Sequence, residues 1–200
     1  MGTGSESDTI KECERWSADV SSASIRSGRD ARAPTRGLAA LTMNTMTDLV
    51  HELTSLLARL DERGIEYALC GGLAMAVHGL PRATADIDLL IEADALEKAK
   101  RAAGELGYTI EALPMSFSGG TIEIRRISKI PQDTKTALSL DFLLVTPALK
   151  DVWTSRQKLQ WDKGTICVVS REGLIRLKTV SARPQDLADI ERLVTWKQKP

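Results

Sequence analysis

The sequence contains no apolar run long enough to cross a bilayer, because charged residues interrupt every apolar segment before the roughly 20 residues that a membrane helix needs. The N-terminal region also lacks the apolar stretch of a secretory signal. We therefore expect no membrane association and a cytoplasmic location.

Cysteine and aromatic residues are scarce. The three cysteines, Cys13, Cys70 and Cys167, are far apart and follow no spacing typical of metal ligands. This usage argues against a disulfide-stabilised secreted domain and indicates a reducing compartment. Aromatic residues make up only 4% of the chain, which leaves little surface for stacking single-stranded bases.

The chain also lacks a net charge, but its charges are unevenly distributed. Residues 43–120 hold 6 basic and 12 acidic residues, whereas residues 121–200 hold 15 basic and 9 acidic residues. An acidic half facing a basic half would suit a metal site opposite a lobe that binds phosphates. Unequal halves also arise by chance, and a basic half is often an ordinary solvated surface.

Composition and periodicity divide the chain into three parts. Residues 1–42 are rich in Ser, Ala, Gly, Thr and Arg without periodicity, which predicts a disordered or weakly ordered N-terminal extension. Apolar residues at helical spacing begin at Thr47, a plausible N-cap. Strand and helix patterns then alternate over a core of residues 43–150, in which Tyr108 to Leu113 is predicted to be a strand and residues 114–120 have loop composition. Residues 151–200 suggest a hairpin and two helices that complete a cleft, with Ser170 capping the first helix and Pro184 beginning the second.

The stretch from residue 71 to residue 88 departs most from what a merely stable domain needs. It contains the pair Gly71-Gly72 after an apolar strand, a short helical segment, and then a strand carrying Asp86 and Asp88. Two aspartates two residues apart on a strand point to the same face. Their charges repel unless a cation lies between them, and carboxylate oxygens suit Mg²⁺ or Mn²⁺. A solvated strand edge with two exposed aspartates remains the alternative.

Asp141 is a third carboxylate of interest because it lies within the apolar strand from Leu138 to Val145. A buried unpaired charge is costly, so Asp141 needs either an arginine or backbone partner, or a metal. If this strand lies beside the one carrying Asp86 and Asp88, the three carboxylates would converge. That arrangement is the one that two-metal phosphoryl transfer requires.

The double glycine could serve the same chemistry. A Gly71-Gly72 turn between a strand and a helix lets the backbone approach a phosphate closely. Arg82 and Thr84, just before the aspartate strand, could bind phosphate oxygens. Arg82 could equally pair with a structural carboxylate, and His78 is more typical of a structural residue than of a nucleotide ligand.

Together these residues resemble a known family. Gly-Gly-Leu-Ala at 71–74, His78-Gly79, Arg82-x-Thr84-x-Asp86-Ile87-Asp88 and the later strand with Asp141 are similar to the nucleotidyltransferase fold of the DNA polymerase beta superfamily. Within it, the chain most resembles small bacterial AbiEii-type toxin-like proteins, over about residues 47–196. The resemblance implies an α+β fold, with a mixed sheet flanked by helices and a C-terminal helical lobe.

The resemblance also implies roles for individual residues. Asp86, Asp88 and Asp141 would hold Mg²⁺ or Mn²⁺, and Gly71 and Gly72 would contact a nucleoside triphosphate. Larger polymerases carry Gly-Ser at this turn, so the serine hydroxyl contact is absent here.

The C-terminal region carries a further similarity to the same group. Its run Leu177 to Ile190 is similar to the Lys-x-x-x-x-Arg-x-x-Asp-x-x-Asp helix pair. By this likeness Lys178 would neutralise phosphate charge, and Asp186, Asp189 or Arg183 would orient the nucleotide or the acceptor. An inter-helix salt-bridge network among these four residues is compatible with that role.

The sequence therefore predicts a metal-dependent enzyme that moves a nucleoside monophosphate from a triphosphate to a hydroxyl of RNA, such as tRNA, or of a protein. By the same resemblance it would be a toxin with a cognate antitoxin. Two alternatives remain: a nucleotide-binding or interaction module without turnover, and a small-molecule nucleotidyltransferase of the aminoglycoside-modifying kind.

Overall fold

The computed structural model describes residues 36–132, 136–161 and 164–195. Most of the predicted extension, residues 1–35, lies outside the described residues. Helix α1 spans Arg36–Glu62, so residues 36–42 are helical and Thr47 lies inside the helix. The prediction that Thr47 caps this helix is therefore wrong. The residues that precede it, Arg36 to Met46, include several good helix formers that let the helix continue upstream.

The remaining elements alternate between strands and helices, with short 3₁₀ segments at Ala93–Ala95, Ser118–Gly120 and Pro147–Leu149. The strands are β1 Ala68–Cys70, β2 Asp86–Ile91, β3 Ile110–Glu111, β4 Met115–Phe117, β5 Ile122–Lys129, β6 Leu138–Leu144, β7 Gln157–Trp161 and β8 Gly164–Val168. The helices are α2 Gly71–Val77, α3 Leu96–Gly104, α4 Lys150–Thr154, α5 Arg171–Ser181 and α6 Pro184–Thr195.

The strands of the described residues form one mixed sheet in the order β3-β5-β6-β2-β1-β8-β7, with β4 paired to β5 beside this path. The pairs β2 with β6 and β1 with β8 are parallel, and the other pairs are antiparallel. Helices pack against this sheet and bury a common apolar core. The predicted α+β class with a mixed sheet is confirmed.

The centre of the sheet is also the centre of the core. In β2 the residues Leu89, Leu90 and Ile91 are fully buried, because both neighbouring strands and the covering helices exclude water from them. In α1 the buried leucines recur every three or four residues, at Leu49, Leu53, Leu56 and Leu60, which is the spacing of one helix face. This burial holds β2 and β6 in place side by side.

The C-terminal part forms as its sequence predicts. The hairpin of β7 and β8 is present, and Ser170 caps α5 by accepting a hydrogen bond from the Gly173 backbone N–H at 3.1 Å. Pro184 begins α6. The hairpin does not stand apart from the core, because β8 pairs with β1 through Leu69 and Val168.

Two local predictions differ from the structure. Residues 114–120 were expected to be a loop, but Met115–Phe117 forms β4 by pairing with β5. The strand expected over Tyr108 to Leu113 is reduced to Ile110–Glu111. Both differences arise from pairing with β5, since segments of two or three residues carry too little pattern of their own. Across the described residues, no helix combines the length and apolarity needed to cross a membrane.

Candidate active site

The three predicted carboxylates lie on neighbouring central strands. Asp86 and Asp88 are two residues apart on β2, and Asp88 is the register partner of Asp141 on β6. Register partners and residues two apart share one face of a sheet. The prediction that the strand of Asp141 lies beside the strand of the aspartate pair is confirmed.

Asp141 has an arginine partner, one of the alternatives that the sequence left open, although the sequence did not identify which arginine. Arg126 on β5 is in register with Asp141. Its Nε and one terminal nitrogen donate to the two carboxylate oxygens of Asp141, each at 2.7 Å. The same guanidinium lies 3.9 Å from Asp86. A two-pronged contact of this kind is among the strongest that a carboxylate makes in a protein.

A signal for Arg126 was present in the sequence. Arg125 and Arg126 follow each other within a strand, and successive side chains point to opposite faces, so one of them must face the same side as the β6 carboxylate. Which one does depends on the register between β5 and β6, and the sequence does not contain that register.

Negative charge is crowded at Asp88. Burial raises the pKa of this carboxyl, and the charges of Asp141 and Asp86 raise it further, to about 7. The positive charges of Arg183 and Arg82 oppose this shift. An aspartate whose charged form is this costly is a group that a cation would stabilise.

The residues fit a divalent cation in chemistry, since three carboxylates supply hard oxygen donors on one face. Their present arrangement is different from a metal cluster. Among the residues that the structure describes, no group of three or more His, Cys, Asp or Glu side chains is arranged to hold a metal ion. Both oxygens of Asp141 are instead engaged by Arg126.

Both glycines of the turn are required by close packing. Gly71 has a φ of +65°, and a Cβ built on it would lie 1.9 Å from Asp88 Oδ2. A Cβ on Gly72 would lie 2.6 Å from the Thr84 hydroxyl oxygen. The turn therefore rests against one of the predicted carboxylates and against one of the predicted phosphate ligands, a packing role that the sequence did not reveal.

The predicted C-terminal residues form a buried ionic network between α5 and α6. Lys178 is 4% exposed, and its Nζ donates to Asp189 at 2.6 Å and to Asp186 at 3.3 Å. Asp186 also accepts from the Ser181 hydroxyl at 2.5 Å and from Arg183 Nε at 2.8 Å. The salt-bridge network that the sequence left open is therefore present.

This network reaches the loop that leads into β2. Arg82 Nε donates to Asp189 at 2.9 Å, so Arg82 pairs with a carboxylate, as the second of its two interpretations proposed. Arg192 on α6 donates to the Pro81 carbonyl at 3.2 Å. His78 at the end of α2 lies with its Nε2 2.8 Å from the Val169 carbonyl oxygen, which favours its structural interpretation.

Arg82 and Arg183 connect the network to the carboxylates. Their positive charges lower the pKa of Asp88. The hydrogen bond to Asp186 raises the pKa of Arg183, and the charges of Asp88 and Asp141 add to that shift. The Arg183 side chain is 74% exposed, whereas Lys178 is enclosed. The site thus combines an acidic sheet face with cations from the adjoining helix pair and loop.

Solved structures share this fold. A protein from Thermotoga maritima described as a nucleotidyltransferase matches with a TM-score of 0.51 and 14% identity, over 74% of this chain and 93% of that one. The antibiotic-resistance factor ANT(2'')-Ia matches with a TM-score of 0.53 and 16% identity, over 74% and 84%. Its complex with adenylyl-2''-tobramycin matches with a TM-score of 0.51 and 15% identity, over 76% and 88%.

A search of curated proteins found no match. The family model described as the nucleotidyl transferase AbiEii toxin of type IV toxin–antitoxin systems matches residues 55–199. That range contains all the carboxylates, both glycines and the whole helix pair described above. The chain belongs to the AbiEii nucleotidyl transferase toxin family, and its enzyme class is nucleotidyltransferase.

Proposed function

We propose that this nucleotidyltransferase moves a nucleoside monophosphate from a nucleoside triphosphate to a hydroxyl of RNA, such as a tRNA end, with Mg²⁺ or Mn²⁺ required. The acceptor oxygen forms a bond to the α-phosphorus, the bond from that phosphorus to the bridging oxygen breaks, and pyrophosphate leaves. The acceptor proton passes to solvent. The observation that carries the proposal is the pairing of Asp88 with Asp141 beside Asp86 on one sheet face.

In this proposal the three aspartates hold the divalent cation, which would neutralise charge on the phosphates and lower the pKa of the attacking hydroxyl. The chain's own part is to position the substrates and to balance charge. The residues proposed to contact the nucleotide directly are Gly71, Gly72, Arg82 and Thr84. The residues that orient the nucleotide or acceptor are Arg183, Asp186 and Asp189.

We assign different roles to Arg183 and Lys178. Arg183 is the exposed member of the network and lies within electrostatic reach of Asp88, so it is the cation best placed to bind a phosphate directly. Lys178 is enclosed between Asp186 and Asp189. We therefore assign Lys178 to holding the two aspartates, and through Asp189 the Arg82 side chain, in position.

RNA is the preferred acceptor because residues 121–200 carry 15 basic and 9 acidic residues, a balance that attracts a polyanion. A protein hydroxyl is the second choice. The type IV toxin–antitoxin family supports an antitoxin partner.

The test is transfer of label from each α-labelled nucleoside triphosphate to total RNA or total protein, with and without Mg²⁺. We expect metal-dependent labelling of RNA that is lost in Asp86→Asn and in Asp88→Asn. Asp94→Asn is the matched control, because Asp94 is an exposed aspartate just beyond β2. Labelling without metal, or labelling that survives both substitutions, would overturn the proposal.

A small-molecule acceptor is the second candidate, favoured by the shared fold with ANT(2'')-Ia, whose structure holds adenylyl-2''-tobramycin. Addition of tobramycin to the same assay separates the two. Labelled tobramycin with unlabelled RNA would favour this candidate. The third possibility, a module without turnover, predicts no labelling of any acceptor by the wild-type chain.

A further inference from the structure

Arg126 lies where a cation would be expected among the three carboxylates. It binds both oxygens of Asp141 and lies 3.9 Å from Asp86. The hydrogen bonds to Asp141 raise the pKa of this guanidinium, and the charges of Asp141, Asp86 and Asp88 add to the shift. The direct contact is with Asp141, and Asp86 is the next carboxylate within reach.

A carboxylate held this way is a poorer metal ligand. Arg126 neutralises the charge of Asp141 and occupies one lone pair on each of its oxygens. A divalent cation that approached Asp141 would also be repelled by the guanidinium, at a distance where such repulsion is strong. Metal and guanidinium thus compete for the same carboxylate.

The competition can be resolved by movement of Arg126 alone. The Asp141 side chain is 6% exposed and lies on a central strand, whereas the Arg126 side chain is 36% exposed. The guanidinium has open solvent to enter, and the carboxylate does not. We therefore expect the Arg126 side chain to move when metal binds, while Asp141 stays in place.

We propose that Arg126 is the resident cation of this site: it holds Asp141 and Asp86 close to each other and lowers the affinity of the site for a divalent ion. This inference rests on the proposed function, since it concerns the same site. It assigns a positioning role to a residue that neither the motif nor the family match names. Metal binding then coincides with release of Arg126 from Asp141, and the affinity for metal is set by that exchange.

The experiment compares Mn²⁺ binding, measured by the electron paramagnetic resonance signal of free Mn²⁺, in the wild-type chain and in Arg126→Gln. We expect the dissociation constant for Mn²⁺ to fall about tenfold or more when the competing charge is removed. Arg125→Gln is the matched control, because Arg125 is the neighbouring arginine and pairs with Glu123 at 3.0 Å. Its dissociation constant should stay within about twofold of wild type.

Thermal unfolding gives a second readout without turnover. Arg126→Gln leaves Asp141 buried beside Asp88 without its counter-ion, so the metal-free variant should melt below wild type. Saturating Mn²⁺ should raise the melting temperature of Arg126→Gln by more than that of wild type. If Arg126→Gln does not fold without metal, Arg126→Lys decides, because it keeps the charge but loses the two-pronged contact and should show an intermediate affinity.

The outcomes separate this inference from the proposed function. Tighter Mn²⁺ binding in Arg126→Gln with unchanged binding in Arg125→Gln supports the inference. Equal or weaker Mn²⁺ binding in a folded Arg126→Gln, while Asp88→Asn still loses metal, overturns the inference and leaves the proposed function intact. Absence of Mn²⁺ binding in both wild type and Arg126→Gln overturns both.

Discussion

At the scale of single residues, contact distances decide what the site tolerates. Gly71 is held at a positive φ directly against Asp88, and the Cβ, Cγ and Oδ2 atoms of Asp88 all lie within 2.8 Å of where its Cβ would be. Rotation of the Asp88 carboxylate cannot clear all three atoms. A side chain at Gly71 must therefore move the backbone at Gly71 or at Asp88.

We expect Gly71→Ala to lower the free energy of unfolding, because the backbone would be strained at a positive φ and the new Cβ would overlap Asp88. Gly64→Ala is the matched control, because Gly64 has a φ of +61° with nothing within 4 Å of a built Cβ. Gly64→Ala should cost about 1 kcal/mol from the left-handed backbone alone. Gly71→Ala should cost about 1 to 3 kcal/mol more. Urea denaturation measures both, and equal losses would contradict the close packing of Gly71 on Asp88.

At the scale of elements, α5 and α6 are joined by the buried ion pairs of Lys178 with Asp186 and Asp189. Asp186 is 1% exposed. Burial alone would raise the pKa of its carboxyl, but hydrogen bonds from Arg183 and Ser181 and the charges of Arg183 and Lys178 hold it at about 2. The folded pKa is below the ordinary aspartate pKa of 3.8, so the unfolded chain binds the proton more tightly.

The sign of this shift gives a pH prediction. The stabilisation from Asp186 is fully present above a pH of about 4 and is lost as the pH falls towards 2, because protonation then favours the unfolded chain. Asp186→Asn should lower the free energy of unfolding at pH 7 by about 2 kcal/mol, and the difference from wild type should shrink between pH 4 and pH 2. Denaturation at several pH values measures it. A difference that stays constant over this window would contradict the ionic role of Asp186.

Some of the secondary-structure elements could be predicted from the sequence and others could not. β2, β6, the capped start of α5 and the β7–β8 hairpin were predictable, because alternation, a serine cap and a Gly turn mark them locally. β4 was not, because Met115–Phe117 becomes a strand only through its partner β5. The start of α1 was misplaced because Thr47 has the chemistry of a cap but lies in a helix that continues past it.

The residues of the site were likewise predictable only in part. Asp86, Asp88 and Asp141 could be identified because a charged carboxylate in an apolar strand requires a partner or a metal ion. The strands that carry them are neighbours. Arg126 was missed, since its importance comes from a register that links β5 to β6. Charge and spacing thus indicate which residues carry chemistry, while pairing between distant segments determines which of them meet.

At the scale of the whole molecule, the C-terminal part belongs to the same folding unit as the core. β8 lies between β1 and β7, and the Val169 backbone N–H donates to the Leu69 carbonyl at 3.0 Å. Several buried apolar residues of the common core come from beyond residue 150: Val152, Trp153, Ile166, Val168, Val169, Leu174, Leu177 and Leu193. Each fully buried side chain contributes about 1.5 to 3 kcal/mol.

Without these residues, the part of the core that they cover and the edge of β1 that pairs with β8 would be exposed to water. We therefore expect a chain that ends at residue 150 to lose the cooperative unfolding transition of the full chain. Circular dichroism during urea denaturation of the two chains measures this. A cooperative transition in the shortened chain would show instead that residues 43–150 form an independent domain.

The burial of Cys70 has a practical consequence. Cys70 ends β1, is the register partner of Asp88 and is fully buried. Burial, with the nearby charges of Asp88 and Asp141, raises the pKa of its thiol, so the thiol is both shielded and unreactive in the folded chain. In a Cys13→Ser, Cys167→Ser background, the rate at which Ellman's reagent modifies Cys70 would report how often the strands that carry the carboxylates separate. Cys70 is thus a native thiol probe for opening of the site.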